Sequence, residues 1–226
     1  MITEPIVTYE EAVQRIHTAG LLPLAPLFPD FPSLSSLTPS ENWHTDSPLD
    51  PWLWRSRLAE EGTAAYGKFV KKKAILISRE CFPWVHRLLS DSRTIQEQYD
   101  AGLLSRDAFK LYERIEDQEG IDGRALRAQA GFGAKEDKKA FDQGLLDLQS
   151  RTAIVISGTK EKEGLADGKV AWNSSSYETA GHWMSRQGIE PFNGSITESR
   201  DLLLDKLVEH TTEAGLVKIK KALGIV

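Results

Sequence analysis

Apolar residues return at helical spacing in the opening stretch TYEEAVQRIHTAG, where Ala12, Val13 and Ile16 share a face, Thr8 stands as N-cap and Gly20 as stop. The next thirty or so positions carry seven prolines, which exclude long regular structure, while their Leu, Phe and Trp content predicts a loop packed on the core. A second helix is expected over PWLWRSRLAEEG, with Pro51 in its first turn. Beta-rich runs then read as a hairpin, Tyr66 to Phe69 and Ala74 to Ile77, around a lysine-rich turn. A helix from Phe82 to Leu89 follows, and a short one ends at Gly102.

From there the pattern changes. Ser105 caps a helix with Ala108, Leu111, Tyr112 and Ile115 at helical spacing, Asp122 opens a short second helix, and Ala140, Phe141, Leu145 and Leu148 line a third. This is helix-turn-helix spacing. A strand (TAIVISG), a polar loop and a second strand-like run (KVAWNSSSY) come next, with Trp183 expected to cap that hairpin against the three-helix bundle. Three helices and a hairpin are the winged-helix order. Residues after 196 read as two amphipathic helices separated near Ala214 and Gly215. The expected fold is therefore α+β and mainly helical. Residues 103–186 form a winged helix, and residues 1–102, with a similar helix-then-hairpin rhythm, open the reading of two such modules in tandem. Helices in 187–226 pack back on the rest.

Composition narrows the function classes. The 226 residues, 40% of them hydrophobic, suffice for an ordinary core, and no apolar run reaches the roughly 18 residues of a membrane span. A cytoplasmic protein without membrane association is expected. One cysteine, Cys81, leaves no internal disulfide or Cys-rich zinc site, and the histidines lack metal-ligand spacing, so neither metal nor cofactor is expected. Net charge is −5 but uneven: Arg55 to Arg93 holds nine Lys or Arg against four Asp or Glu. That basic segment is a candidate footprint for phosphate, or else a solvated face.

Double-stranded DNA is the partner such a footprint suggests. Its candidate contacts are Arg55 and Arg57 on the second helix, Lys68, Lys71, Lys72 and Lys73 at the hairpin, and Lys138 and Lys139 on the third helix of the second half. The lysine run has an alternative reading, protection of an exposed strand edge. Residues 103–186 carry thirteen basic against fourteen acidic side chains, so the second half alone has no obvious DNA-reading face.

The stretches NWHTDSPLDPWLWRSRLAEEG, AYGKFVKKKAILIS with CFPWV, and LQSRTAIVISG resemble the AlkZ/YcaQ-type tandem winged-helix DNA glycosylases, and especially the AlkZ-related proteins. The resemblance implies a DNA-binding fold and a site built on a Gln-x-Gln or Gln-x-Asp motif ahead of a proline turn and an aromatic helix. The nearest match is His44-Thr45-Asp46, with His44 in place of the first glutamine and Asp46 in the second motif position. A carboxylate there can stabilise an oxocarbenium-like transition state and orient water. Asp46 has a plainer reading as a helix cap or turn residue in a proline-rich loop. Gln96-Glu97-Gln98 matches Gln-x-Gln literally but lies after the aromatic helix and is taken as coincidence. Three functions follow: a DNA-binding relative with an altered or absent catalytic motif, an active base-excision glycosylase using Asp46, or a module that binds protein or a small molecule.

Overall fold

The computed structural model describes residues 4–29, 31–160 and 174–225. They form an α+β fold around a single six-stranded sheet of antiparallel pairs. The chain starts with α1 (Tyr9–Ala19), β1 (Leu21–Pro23) and α2 (Leu34–Leu37), then α3 (Pro51–Glu60), β2 (Ala64–Val70), β3 (Lys73–Ser78) and α4 (Phe82–Leu89). After α5 (Ile95–Asp100) come α6 (Arg106–Asp117), β4 (Ile121–Asp122), α7 (Gly123–Gln129), α8 (Lys138–Ser150), β5 (Ile154–Lys160), β6 (Ser174–Thr179) and α9 (Ala180–Arg186). Two further helices, α10 (Ile196–Val208) and α11 (Glu213–Leu223), complete it.

Strand order is β1-β3-β2-β5-β6-β4. Each half thus contributes a hairpin plus one short strand, and in each half the short strand pairs with the second strand of the hairpin. The halves meet back to back at the pair Tyr66↔Ile156. The turns that lead into this pair match bond for bond. Gly62 and Thr63 donate to the carbonyls of Ala59 and Leu58 at the end of α3, as Thr152 and Ala153 donate to Gln149 and Leu148 at the end of α8. Counting on from these turns, Tyr66 and Ile156 hold equivalent positions, so the local two-fold axis passes between them. The helices respect the same relation: α3 packs on β5, and α8 on β2.

Local chemistry explains the elements. Thr8 and Glu11 close a capping box on α1, and Ser105 caps α6 through Ala108 N. Side chains of the first half alternate across the sheet: Ala64, Tyr66 and Leu76 pack with α1 and α3, whereas Ala65, Ile75 and Ile77 pack with α4 and the C-terminal helices. Leu203, Leu207, Ile219 and Leu223 bury α10 and α11 on that second face. The break between these two helices falls earlier than expected. Thr212 takes the N-cap by accepting from Gly215 N at 3.0 Å, which draws Ala214 and Gly215 into the first turn of α11.

Trp183 departs from expectation in a more instructive way. It is fully buried on α9, but its indole Nε1 donates to Ala59 O at 3.1 Å and its ring meets Phe82 edge-on at 5.4 Å. It ties the second half to the first, where it donates to a carbonyl at the end of α3 that also accepts from Gly62 N, rather than closing the second half on itself. Gln187 Nε2 likewise donates to Glu60 O. The segment expected to form the tip and the start of the second strand of the later hairpin, residues 161–173, lies outside the described residues. Among the described residues no helix is long and apolar enough to cross a membrane.

Candidate functional site

The join between the halves forms a groove of about 890 Å³, walled by α3 on one side and α8 on the other. Tyr66 of β2, Ile156 of β5 and Tyr177 of β6 form its floor, with Trp52 and Arg55 on the α3 wall. Five cations line it: Arg55 and Lys68 from the first half, and Lys135, Lys138 and Lys139 from the second. Two carboxylates oppose them, Glu136 and Asp142, and Asp142 is paired with Lys138 at 2.6 Å. Lys68, Lys135 and Lys139 have exposed side chains that can exchange water for phosphate oxygens.

Packing sets the floor and the arginine. Arg55 lies over the Trp52 ring, 3.4 Å from its centroid, and bonds the Trp52 carbonyl. Burial lowers its guanidinium from the ordinary value while the neighbouring Tyr66 and Asp50 oppose the shift, and an arginine remains charged at neutral pH. Burial also raises the Tyr66 phenol and pushes that of Tyr177 up to about 12, so both stay neutral hydroxyls. Beneath them Gln149 Oε1 accepts from Lys68 N at 2.9 Å, fixing the strand that carries Lys68 to α8.

The residues expected from sequence divide into three places. Arg55, Lys68, Lys138 and Lys139 come together in the groove although they originate in different halves. Arg57, by contrast, lies over the Tyr9 ring at 3.8 Å and pairs with Glu61 at 2.7 Å, outside it. Lys71 and Lys72, both with positive φ (49° and 60°), are the two central residues of the tight turn between β2 and β3, and Lys73 opens β3. Lys71 Nζ rests 4.6 Å from the Phe28 centroid. These lysines do not guard a sheet edge, because β1 covers β3 and β5 covers β2. They sit at the hairpin turn and do not line the groove.

His44 and Asp46 lie on the exposed loop before α3, both in the left-handed region (φ 60° and 54°). A residue not singled out from sequence holds that loop. Asp50 is fully buried, and its carboxylate accepts from His44 N, Thr45 N, Asp46 N and Trp52 N at 2.8–3.1 Å. It is Asp50, not Asp46, that caps α3, as an aspartate immediately ahead of a first-turn proline could have suggested. The His44 ring leans on Trp52 at 5.0 Å, so the loop touches the groove through Trp52, but neither His44 nor Asp46 lines it. Trp54 belongs to the core.

Two other sequence candidates resolve plainly. Cys81 is buried and its thiol is pushed up to about 11 by burial, which makes it an unreactive core residue. Gln98 is also buried, donating to Arg93 O and accepting from Arg151. No group of His, Cys, Asp and Glu suited to a metal ion occurs among the described residues.

A family model described as AlkZ related matches residues 6–224. Searches of curated proteins and of solved structures return no match.

Proposed function

Because the chain belongs to the AlkZ-related family, we propose that it is a tandem winged-helix protein that binds double-stranded DNA in the groove between α3 and α8. The two modules are residues 1–102 and 103–186, each with the order helix, short strand, further helices and hairpin. In this reading α3 and α8 are the equivalent third helices. The observation that carries it is the convergence of cations from both halves on one groove. It also resolves the weakness of α8 as a reader on its own, since three of its lysines, or those just ahead of it, act with Arg55 and Lys68.

Base excision through Asp46 receives less support. That carboxylate is exposed on the outer loop, with its backbone N–H committed to Asp50, rather than recessed beside the groove cations. DNA binding with an altered or absent catalytic motif is the reading preferred.

Titration of a labelled duplex at several salt concentrations tests it. Affinity should fall with salt, and Lys68→Glu or Lys139→Glu should each weaken binding by roughly tenfold or more while the slope against log salt drops by about one. Alanine at Lys71, Lys72 and Lys73 together should do less. No binding at low salt would defeat the proposal. A loss confined to the triple variant would move the interface to the hairpin turn.

A further inference from the structure

A second cavity, of about 490 Å³, lies between α4, α5, α6 and the start of α9, and shares no lining residue with the groove. Its size is that of an ordinary small-molecule site. Phe109, Tyr112, Ile95 and Ala153 supply a mostly apolar wall, and the ring of His86 lines it as well.

The state of that histidine is set by its neighbour. The Thr152 hydroxyl donates its one proton to Arg151 O at 2.6 Å, so it can only accept from His86 Nδ1, 2.9 Å away. This arrangement favours the tautomer protonated at Nδ1, which leaves Nε2 as an acceptor. Burial holds the imidazole below the ordinary histidine value, which keeps that lone pair available. Thr152 itself sits at φ 52°, a left-handed conformation unfavourable for a β-branched residue. The equivalent turn at the end of α3 has a glycine, Gly62, at φ 70°. A threonine at a position where glycine would be relaxed points to the hydroxyl that contacts His86.

Charge narrows the ligand. Both arginines of the lining are committed: Arg93 grips Asp91 through two nitrogens, and Arg151 bonds Asp147, Gln98 and Leu103 O. Glu113 and Glu116, exposed on α6, remain to set the sign at the mouth.

We propose that this cavity binds a flat organic cation, an aromatic amidine or amino-heterocycle, which donates an N–H to His86 Nε2, stacks along Phe109 and faces Glu113 and Glu116. An anion of the same shape is excluded, because Nε2 offers it no proton and the acidic mouth repels it.

Benzamidine and benzoate, nearly identical in shape and opposite in charge, are the probes. Followed by amide and histidine-ring NMR on the full chain, benzamidine should shift Thr152, Gly181 and His86 saturably, with a Kd on the order of 1 mM. Benzoate should leave them in place. Gly181 lines the cavity, and a Cβ built on it meets nothing within 4 Å, so Gly181→Leu fills the space without disturbing the helix and should weaken benzamidine at least roughly tenfold. His86→Phe keeps a ring but removes the acceptor and should cost about tenfold. Equal binding of benzoate, no shifts by roughly ten times the expected Kd, or benzamidine affinity unchanged in Gly181→Leu would each overturn the proposal.

Discussion

The two halves share an order of elements and differ in how those elements are finished. In the first half, α3 begins with the buried carboxylate of Asp50 collecting four backbone N–H groups and ends on Gly62. In the second, α8 begins at Asp137, whose side chain caps no helical N–H, and ends on Thr152. The first half spends its polar chemistry at the start of the helix, anchoring a long proline-rich loop beside the groove. The second places it at the end, where it orients a histidine beside the other cavity. A repeated frame has thus been specialised at opposite ends of the same helix, and the two candidate sites lie where the repeat is broken.

The largest effect should come from the residue that holds the halves together. Trp183→Ala removes a fully buried indole together with its hydrogen bond to Ala59 O, a loss of about 3–5 kcal/mol. Urea denaturation of the wild type should show one transition, since the sheet is continuous across the join. Two separate transitions in the wild type would mean that the halves fold independently and that the tryptophan is a surface contact between them.

Next comes the asymmetry of the helix starts. Asp50→Ala strands backbone donors of both the loop and α3 and should cost about 2–3 kcal/mol, whereas Asp137→Ala, which loses only a bond from Ala134 N, should cost about 1 kcal/mol or less. Equal losses at the two positions in parallel denaturation curves would erase the distinction between the halves.

How much of this was legible in the sequence depends on range. The β2–β3 hairpin was readable because its alternation is local, and its strands extend only one or two residues beyond the expected bounds at each end. α1 and α6 announced themselves through Thr8 and Ser105. β1 and β4, at three and two residues, are too short to carry an alternating pattern and owe their pairing to neighbours far along the chain. The join at Tyr66↔Ile156 has no local signature, so the groove was read as two unrelated sets of cations, one in each half. Lys68 and Lys139 could be named as basic residues, but not as neighbours across a tyrosine floor. The Trp183 bond to Ala59 O was hidden for the same reason.

The helix ends offer smaller tests. A Cβ at Gly62 would fall 2.3 Å from the Gln187 side chain, at a φ that already disfavours one, so Gly62→Ala should destabilise by about 1–2 kcal/mol as Gln187 gives way.

Thr152→Gly should change stability little, and for a reason that separates the two turns. Glycine relieves left-handed strain of about 1–2 kcal/mol, but it adds backbone freedom to the unfolded chain worth about 0.5–1 kcal/mol. It also gives up hydroxyl bonds to His86 and to Arg151 O worth about 0.5–1.5 kcal/mol each. At the middle of these ranges the relief and the losses largely offset, leaving a net loss of about 1 kcal/mol, so small that stability alone would understate the residue. Nitrogen NMR of the His86 ring should say otherwise. A single tautomer protonated at Nδ1 is expected in the wild type and in Thr152→Ser, which retains the hydroxyl, and a mixture in Thr152→Gly. If Thr152→Gly kept the single tautomer, the hydroxyl would not be what orients the imidazole, and the strained threonine would lose its explanation.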